Sequence, residues 1–234
     1  MDRHKTAQRV LPVMVVLLTY SALFFDVFMP ESDFYLWAGS IFSERKFSMT
    51  SVTLALYIRL AAIALVSYSV YRVFYQDSLI GIMPKGRVLA ALFFAVFGLY
   101  CVSFIFFEFE SFTLQVTQQF QVATLNEKLL LIIAYLIMVP IYEELFFRGI
   151  MMGAILKLPV ISDEKVRMIV ASLIPSLLFM TLHTQYDYIW TYILLFLFAT
   201  IVSIARLISG GVLLPILLHA FAIFCAVGFA FLLL

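Results

Sequence analysis

Of the 234 residues, 65% are hydrophobic and 12% charged, and the net charge is +1. A soluble domain is nearer half apolar and a quarter charged, so these charges cannot cover a water-facing surface and the apolar excess is expected to face lipid. No basic stripe or basic–aromatic interleaving is present, so nucleic acid is not an expected partner.

Seven apolar stretches follow in chain order, approximately 10–30, 50–74, 87–107, 128–157, 166–184, 186–206 and 212–234. A spanning helix needs about 20 mostly apolar residues. The pattern therefore predicts an all-α fold, a polytopic transmembrane helix bundle of about seven spans. The first stretch follows Met-Asp-Arg-His-Lys and runs on to Met29 without a clean cleavage site, so it reads as a retained helix rather than a signal peptide. Charged and turn residues gather in the connectors, among them Pro30-Glu31-Ser32-Asp33, Met83-Pro84-Lys85-Gly86, Ser162-Asp163-Glu164-Lys165 and Ser209-Gly210-Gly211. The 108–127 connector, with Glu108, Glu110 and several Gln, reads as a partly helical extracellular segment. No repeat or low-complexity linker is seen. The division expected is one membrane domain over 1–234. Within it, 1–126 holds N-terminal helices without a motif, and 127–234 forms a four-helix core.

Short cytoplasmic loops carry the excess of Lys and Arg. With the N-terminus inside, the inner segments hold ten: Arg3, Lys5, Arg9, Arg72, Lys85, Arg87, Lys157, Lys165, Arg167 and Arg206. The outer segments hold three, Arg45, Lys46 and Lys128. The bias predicts a cytoplasmic N-terminus in a multi-pass protein of a bacterial cell membrane. Cys101 and Cys225 sit in apolar runs as small core residues, with neither disulfide nor zinc spacing.

Ionisable groups within the membrane are costly, at about 2.5–3.5 kcal/mol each on insertion scales, and this chain concentrates them in its last four stretches. In Pro140-Ile-Tyr-Glu143-Glu144-Leu-Phe-Phe-Arg148-Gly149, Glu144 and Arg148 are four apart and can pair on one helix face. Glu143 points about 100° away and lacks that partner, which suits a general base. Pro140 is expected to kink the helix. Solvated charges at the cytoplasmic interface are the bland alternative for the two glutamates. In Phe179-Met-Thr-Leu-His183, Phe179 lies one turn from His183 and can wall it off from lipid. In Pro215-Ile-Leu-Leu-His219, Pro215 is expected to loosen the helix one turn before His219. Either histidine alone reads equally well as a packing residue. Together with the glutamates they read as a site. Arg59 pairs with Asp26 or snorkels to the outer surface.

Depth constrains this reading. At 1.5 Å per residue, Glu143 and His183 lie about 21 and 25 Å from the cytoplasmic ends of their helices, and His219 only about 12 Å. A shared site therefore requires the fourth and fifth helices to extend about 10 Å beyond the last.

Glu143-Glu144-x-x-x-Arg148, then Phe179-x-x-x-His183, then His219 resembles the CAAX protease and bacteriocin-processing (CPBP) family, intramembrane proteases related to the type II CAAX prenyl endopeptidase. The resemblance covers roughly Leu129 to Phe224 and includes Arg206-Leu-Ile-Ser-Gly-Gly-Val-Leu-Leu-Pro-Ile-Leu-Leu-His219-Ala. It implies hydrolysis of a peptide bond in a membrane-associated peptide or protein, a bacteriocin leader, pheromone precursor or envelope protein in a bacterium. Glu143 would activate water, His183 would orient it, His219 would stabilise the oxyanion, and Glu144, Arg148 and Phe179 would support them. No cofactor is implied. Zinc held by one Glu and two His is the lesser alternative, because the H-E-x-x-H spacing is absent. The chain departs from the family at Ile223, four residues after His219, where Asn or Asp is usual. That departure keeps open a second class, a non-catalytic scaffold or immunity protein that binds a membrane partner such as a sensor kinase.

Overall fold

A computed structural model describes residues 61–62, 64–73, 80–158 and 160–233. The stretch 10–30, the Asp26–Arg59 pairing and the orientation of the N-terminus lie outside the described residues. Among those described, the secondary structure is entirely helical. After helical residues 61–62 and 64–73, the helices are α1 (Gly86–Phe106), α2 (Ser111–Val122), α3 (Leu125–Leu156), α4 (Glu164–Leu182), α5 (Ile189–Ser209) and α6 (Leu213–Phe231). Five of them, all but α2, are long and apolar enough to cross a membrane. The last five apolar stretches of the sequence thus become helices within a few residues of their expected bounds. The 108–127 connector holds α2, as its reading allowed.

The packing is inverted relative to a soluble helix, whose apolar stripe faces the core. On α4 the buried residues are Ala171, Ser172, Pro175, Ser176 and Phe179, mostly small or hydroxylated. Its exposed residues include Ile169, Leu173, Ile174, Leu177 and Leu178. Lipid solvates the bulky aliphatics, so small residues mark the helix contact instead. The contact is with α5, whose buried residues Leu195, Phe198, Ala199, Val202, Ser203, Arg206 and Ser209 recur at three- and four-residue steps. The Ser176 and Ser203 hydroxyls meet across it at 3.3 Å. Helix α6 packs against α1, α2, α3 and α5 and so lies centrally in the bundle.

Helix starts follow local chemistry. Thr124 and Glu127 form a reciprocal capping box at α3, and Asp163 caps α4 through the Val166 N–H. Pro215 is the third residue of α6. There its missing N–H has no intrahelical partner to lose. Pro215 therefore helps start the helix and does not loosen it, which corrects the sequence expectation. Pro140 sits in an irregular part of α3. The widened π-helical turn Ile133–Met138 precedes it, with the Val139 N–H bonding five residues back to Ala134 O. A second π-helical turn, Leu145–Met151, follows the two glutamates. The irregularity of α3 thus resides in two wide turns flanking Pro140, Glu143 and Glu144.

The α5–α6 turn is held by a backbone approach that only glycine permits. Gly210 ends α5 at φ 69°, a left-handed cap. Beside it Gly81, at φ 71°, lies against Gly211, and the Ile82 N–H bonds to Ser209 O at 2.7 Å. A Cβ on Gly81 would stand 2.5 Å from Gly211 N. Gly211→Ala is therefore expected to cost about 1–3 kcal/mol, as overpacking does, read as a lowered thermal midpoint in detergent. Gly98→Ala, whose Cβ meets nothing within 4 Å, should leave the midpoint unchanged.

Candidate active site

The buried ionisable groups meet on α3, α5 and α6. Glu144 and Arg148 are fully buried. Arg148 Nη1 donates to Glu144 Oε1 at 3.0 Å, the pair expected from their spacing, and Nη2 donates to Ala199 O on α5 at 2.9 Å. Glu144 Oε1 also lies 2.8 Å from His219 Nδ1. A carboxylate paired with arginine only accepts, so Nδ1 carries the proton and donates. The Arg148 guanidinium sits 5.0 Å above the Phe179 ring, a cation–π contact.

Glu143, 7% exposed, is no solvated interfacial charge. It is also less isolated than expected, because the adjacent Tyr142 hydroxyl donates to its Oε1 at 2.9 Å. Its Oε2 is buried and makes no direct hydrogen bond. That oxygen stands 3.8 Å from His219 Nε2 and 4.0 Å from His183 Nε2. The three residues singled out as a site therefore converge, although they come from α3, the end of α4 and α6.

Their meeting bears on depth. Counting at 1.5 Å per residue, α3 continues about 20 Å past Glu143 and α4 begins about 28 Å before His183, whereas α6 begins about 9 Å before His219.

His183 departs from its expected setting. It caps α4 with φ −87° and ψ 58° instead of lying within the helix. Its Nδ1 is 2.6 Å from Phe179 O, the carbonyl one turn back. A carbonyl only accepts, so Nδ1 again carries the proton. The first residue past a helix end has a carbonyl of this kind in reach because the last turn leaves its C=O groups unpaired. Phe179 is also placed differently. It is not a wall between His183 and lipid but a core residue, with ring centroids 4.3 Å from His183 and 5.7 Å from His219.

Several partners were missed from sequence. Arg206, counted there among the cytoplasmic charges, is buried and directs Nε to Arg148 O at 3.3 Å. That bond satisfies a carbonyl inside the widened turn of α3. Phe198 meets the His219 ring edge-on at 5.3 Å, and Tyr186 lies parallel to His183 at 6.1 Å. Only Arg206 carried a signal: it falls at the helical spacing of the small buried face of α5. Among the described residues, no three His, Cys, Asp or Glu side chains are grouped to hold a metal ion.

A bundle that turns bulky apolar residues outward and buries its charges is a multi-pass integral membrane protein. Its C-terminal helices carry a likeness to a known family: residues 125–225 match the family described as type II CAAX prenyl endopeptidase Rce1-like. An uncharacterised 24.3 kDa protein of Escherichia coli is 39% identical over 103 residues, which cover 44% of this chain and 45% of that relative. The chain thus matches a little under half of the relative's length. No solved structure matches.

Removing the arginine would leave Glu144 buried with His219 as its one donor. Arg148→Ala should cost about 3–5 kcal/mol, the penalty for stranding a buried charge, seen as loss of folded protein in detergent. Arg148→Lys should recover little, since an ammonium lacks the planar fork that reaches both Glu144 and the Ala199 carbonyl.

Proposed function

We propose that this protein is an intramembrane endopeptidase of the glutamate type. Its substrate is a membrane-associated peptide or protein, cleaved in a bacterial cell membrane. The observation that carries the reading is the unpartnered Glu143 Oε2 facing two histidine Nε2 atoms at 3.8 and 4.0 Å. Those gaps exceed a direct hydrogen bond, and one water can bridge them. In the neutral imidazoles, with Nδ1 protonated, both Nε2 atoms are acceptors, so the three atoms together seek a donor. Water supplies two protons to such a cluster and turns a lone pair outward.

In this scheme Glu143 is the general base and His183 orients the water. The water oxygen forms a bond to the scissile carbonyl carbon as Glu143 takes its proton. The carbonyl π pair moves to oxygen, giving a tetrahedral oxyanion. The proton taken by Glu143 passes on to His219 Nε2, 3.8 Å away, so that His219, held by Glu144, stabilises that charge as an imidazolium and returns the proton to Glu143 before collapse. Collapse breaks the C–N bond, and the proton held by Glu143 passes to the departing amine. Glu144, Arg148 and Phe179 fix His219. Water and three side chains balance the reaction without a cofactor.

A second reading, a scaffold or immunity protein that binds a membrane partner such as a sensor kinase, draws on Ile223. This residue lies one turn beyond His219 on α6 and offers no hydrogen bond where the resemblance leads one to expect Asn or Asp.

The test compares protein termini in membranes from cells making wild-type protein, Glu143→Gln and His219→Ala at equal levels. The protease reading expects a set of new termini present with wild-type and absent with both variants. An identical set in all three would sink it and favour the scaffold. A chelator added to the isolated membranes should leave the wild-type termini forming at an unchanged rate, and loss restored by zinc would reinstate the metal reading.

A further inference from the structure

The proton positions at the two histidines leave a gap in the chemistry. Glu144 and the Phe179 carbonyl each hold an Nδ1–H, so neither neutral imidazole has an N–H to offer from Nε2. An oxyanion forming in a dry site needs a donor already in place, and losing one such donor costs on the order of 100- to 1000-fold in rate. Ile223 supplies none.

Tyr186 is placed to do so. It stands three residues past His183 in the α4–α5 loop, its ring parallel to the imidazole at 1° with centroids 6.1 Å apart. Phe112 of α2 meets it edge-on at 5.9 Å. Its carbonyl accepts from the Tyr192 hydroxyl at 2.8 Å. The next two N–H groups, of Asp187 and Tyr188, donate to the two oxygens of the buried Glu110 carboxylate at 3.0 and 2.9 Å. Glu110 precedes α2, so the 107–112 strand of chain straps this loop from a distant part of the sequence, and Phe107 stacks on Trp190 at 5.6 Å to extend the strap. A tyrosine tied at ring, carbonyl and following backbone is preorganised, the property that makes a donor effective.

Tyr186 also lines a cavity of about 70 Å³, shared with Tyr100, Ser103, Glu110, Thr191 and Phe229. Phe198 lies between this cavity and His219, meeting Tyr100 at 6.5 Å and His219 at 5.3 Å. Burial pushes the Tyr186 hydroxyl up from its ordinary value, and the charges of Glu143 and Glu110 push it the same way. The group therefore stays a neutral O–H within the field of the proposed base.

We propose that the Tyr186 hydroxyl donates to the oxyanion of the tetrahedral intermediate, serving in place of a side chain at position 223. The proposal rests on the endopeptidase reading. It transfers no proton, and its effect is on the barrier alone.

Tyr186→Phe keeps the ring, so its contacts with His183 and Phe112 remain. In the same comparison of membrane termini, run as a time course, the Glu143-dependent termini should form about 100-fold more slowly in Tyr186→Phe. Formation within threefold of wild-type overturns the donor assignment while leaving the protease reading intact. Absence of any Glu143-dependent terminus removes the protease reading and this assignment with it. The thermal midpoint in detergent should match wild-type. If it falls, Tyr186→Phe/Ile223→Asn decides. A recovery of tenfold or more over Tyr186→Phe supports a donor role, and no recovery overturns it.

Discussion

One carboxylate oxygen organises the centre of this molecule. Glu144 Oε1 accepts from Arg148 at 3.0 Å and from His219 at 2.8 Å, with Glu144 and Arg148 shut off from solvent. The arginine donates to this oxygen, and an oxygen that only accepts decides which histidine nitrogen carries the proton. That tautomer turns the Nε2 lone pair toward Glu143. The same guanidinium ties α3 to α5 through the Ala199 carbonyl, so the pair sets helix spacing and imidazole chemistry together. Buried pairs add little net stability when compared with apolar replacements. Their value here is the specificity with which they orient a third group.

The wide turns of α3 explain how so many demanding residues fit on one helix. In a regular α-helix a run of six neighbours covers more than the whole circumference, and some of them face lipid. Here Leu145, Phe146, Phe147, Arg148, Gly149 and Ile150 are all buried, with α4 packed on this turn and Arg148 bonded to α5. Gly149 leaves room for Tyr71, whose ring would lie 2.8 Å from a Cβ there. A π-helical turn within an otherwise α-helical span is common at functional sites. It also shifts a carbonyl out of the regular ladder, and Arg206 receives the one from Arg148.

What was legible in the sequence follows from what each signal measures. Hydropathy reports contact with lipid, and it located α1, α3, α4, α5 and α6 closely. The cost of charge in lipid reports burial with partners, and it picked out Glu143, Glu144, Arg148, His183 and His219. Glu144 and Arg148 could be paired in advance because their contact is local. Proline was misread, since its effect depends on whether its neighbours need an N–H, and at Pro215 they do not. His183 was assigned to a helix interior because the apolar run continues to the helix end and carries no cap signal. Arg206 was counted as a loop charge because a composition bias cannot see a helix extending to Ser209. Tyr186 and Glu110 carried no signal. Their roles arise from contacts between segments up to 78 residues apart, and aromatic residues are too common in this chain to stand out.

The arrangement of acceptors has a consequence for how such a site can be kept dry and still react. Glu143 Oε2 faces His183 Nε2 at 4.0 Å and His219 Nε2 at 3.8 Å. Three lone pairs at that separation repel unless a proton lies among them, and an apolar substitute for water cannot supply one. The centre is therefore selective for a small donor, while Phe179 and Phe198 exclude larger ones from the His219 side. Because both Nδ1 protons are committed to fixed acceptors, neither imidazole can relieve the repulsion by switching tautomer. The histidines accept a proton only by becoming cations. The Glu144–Arg148 pair is thereby connected to the proposed chemistry through a single proton on His219.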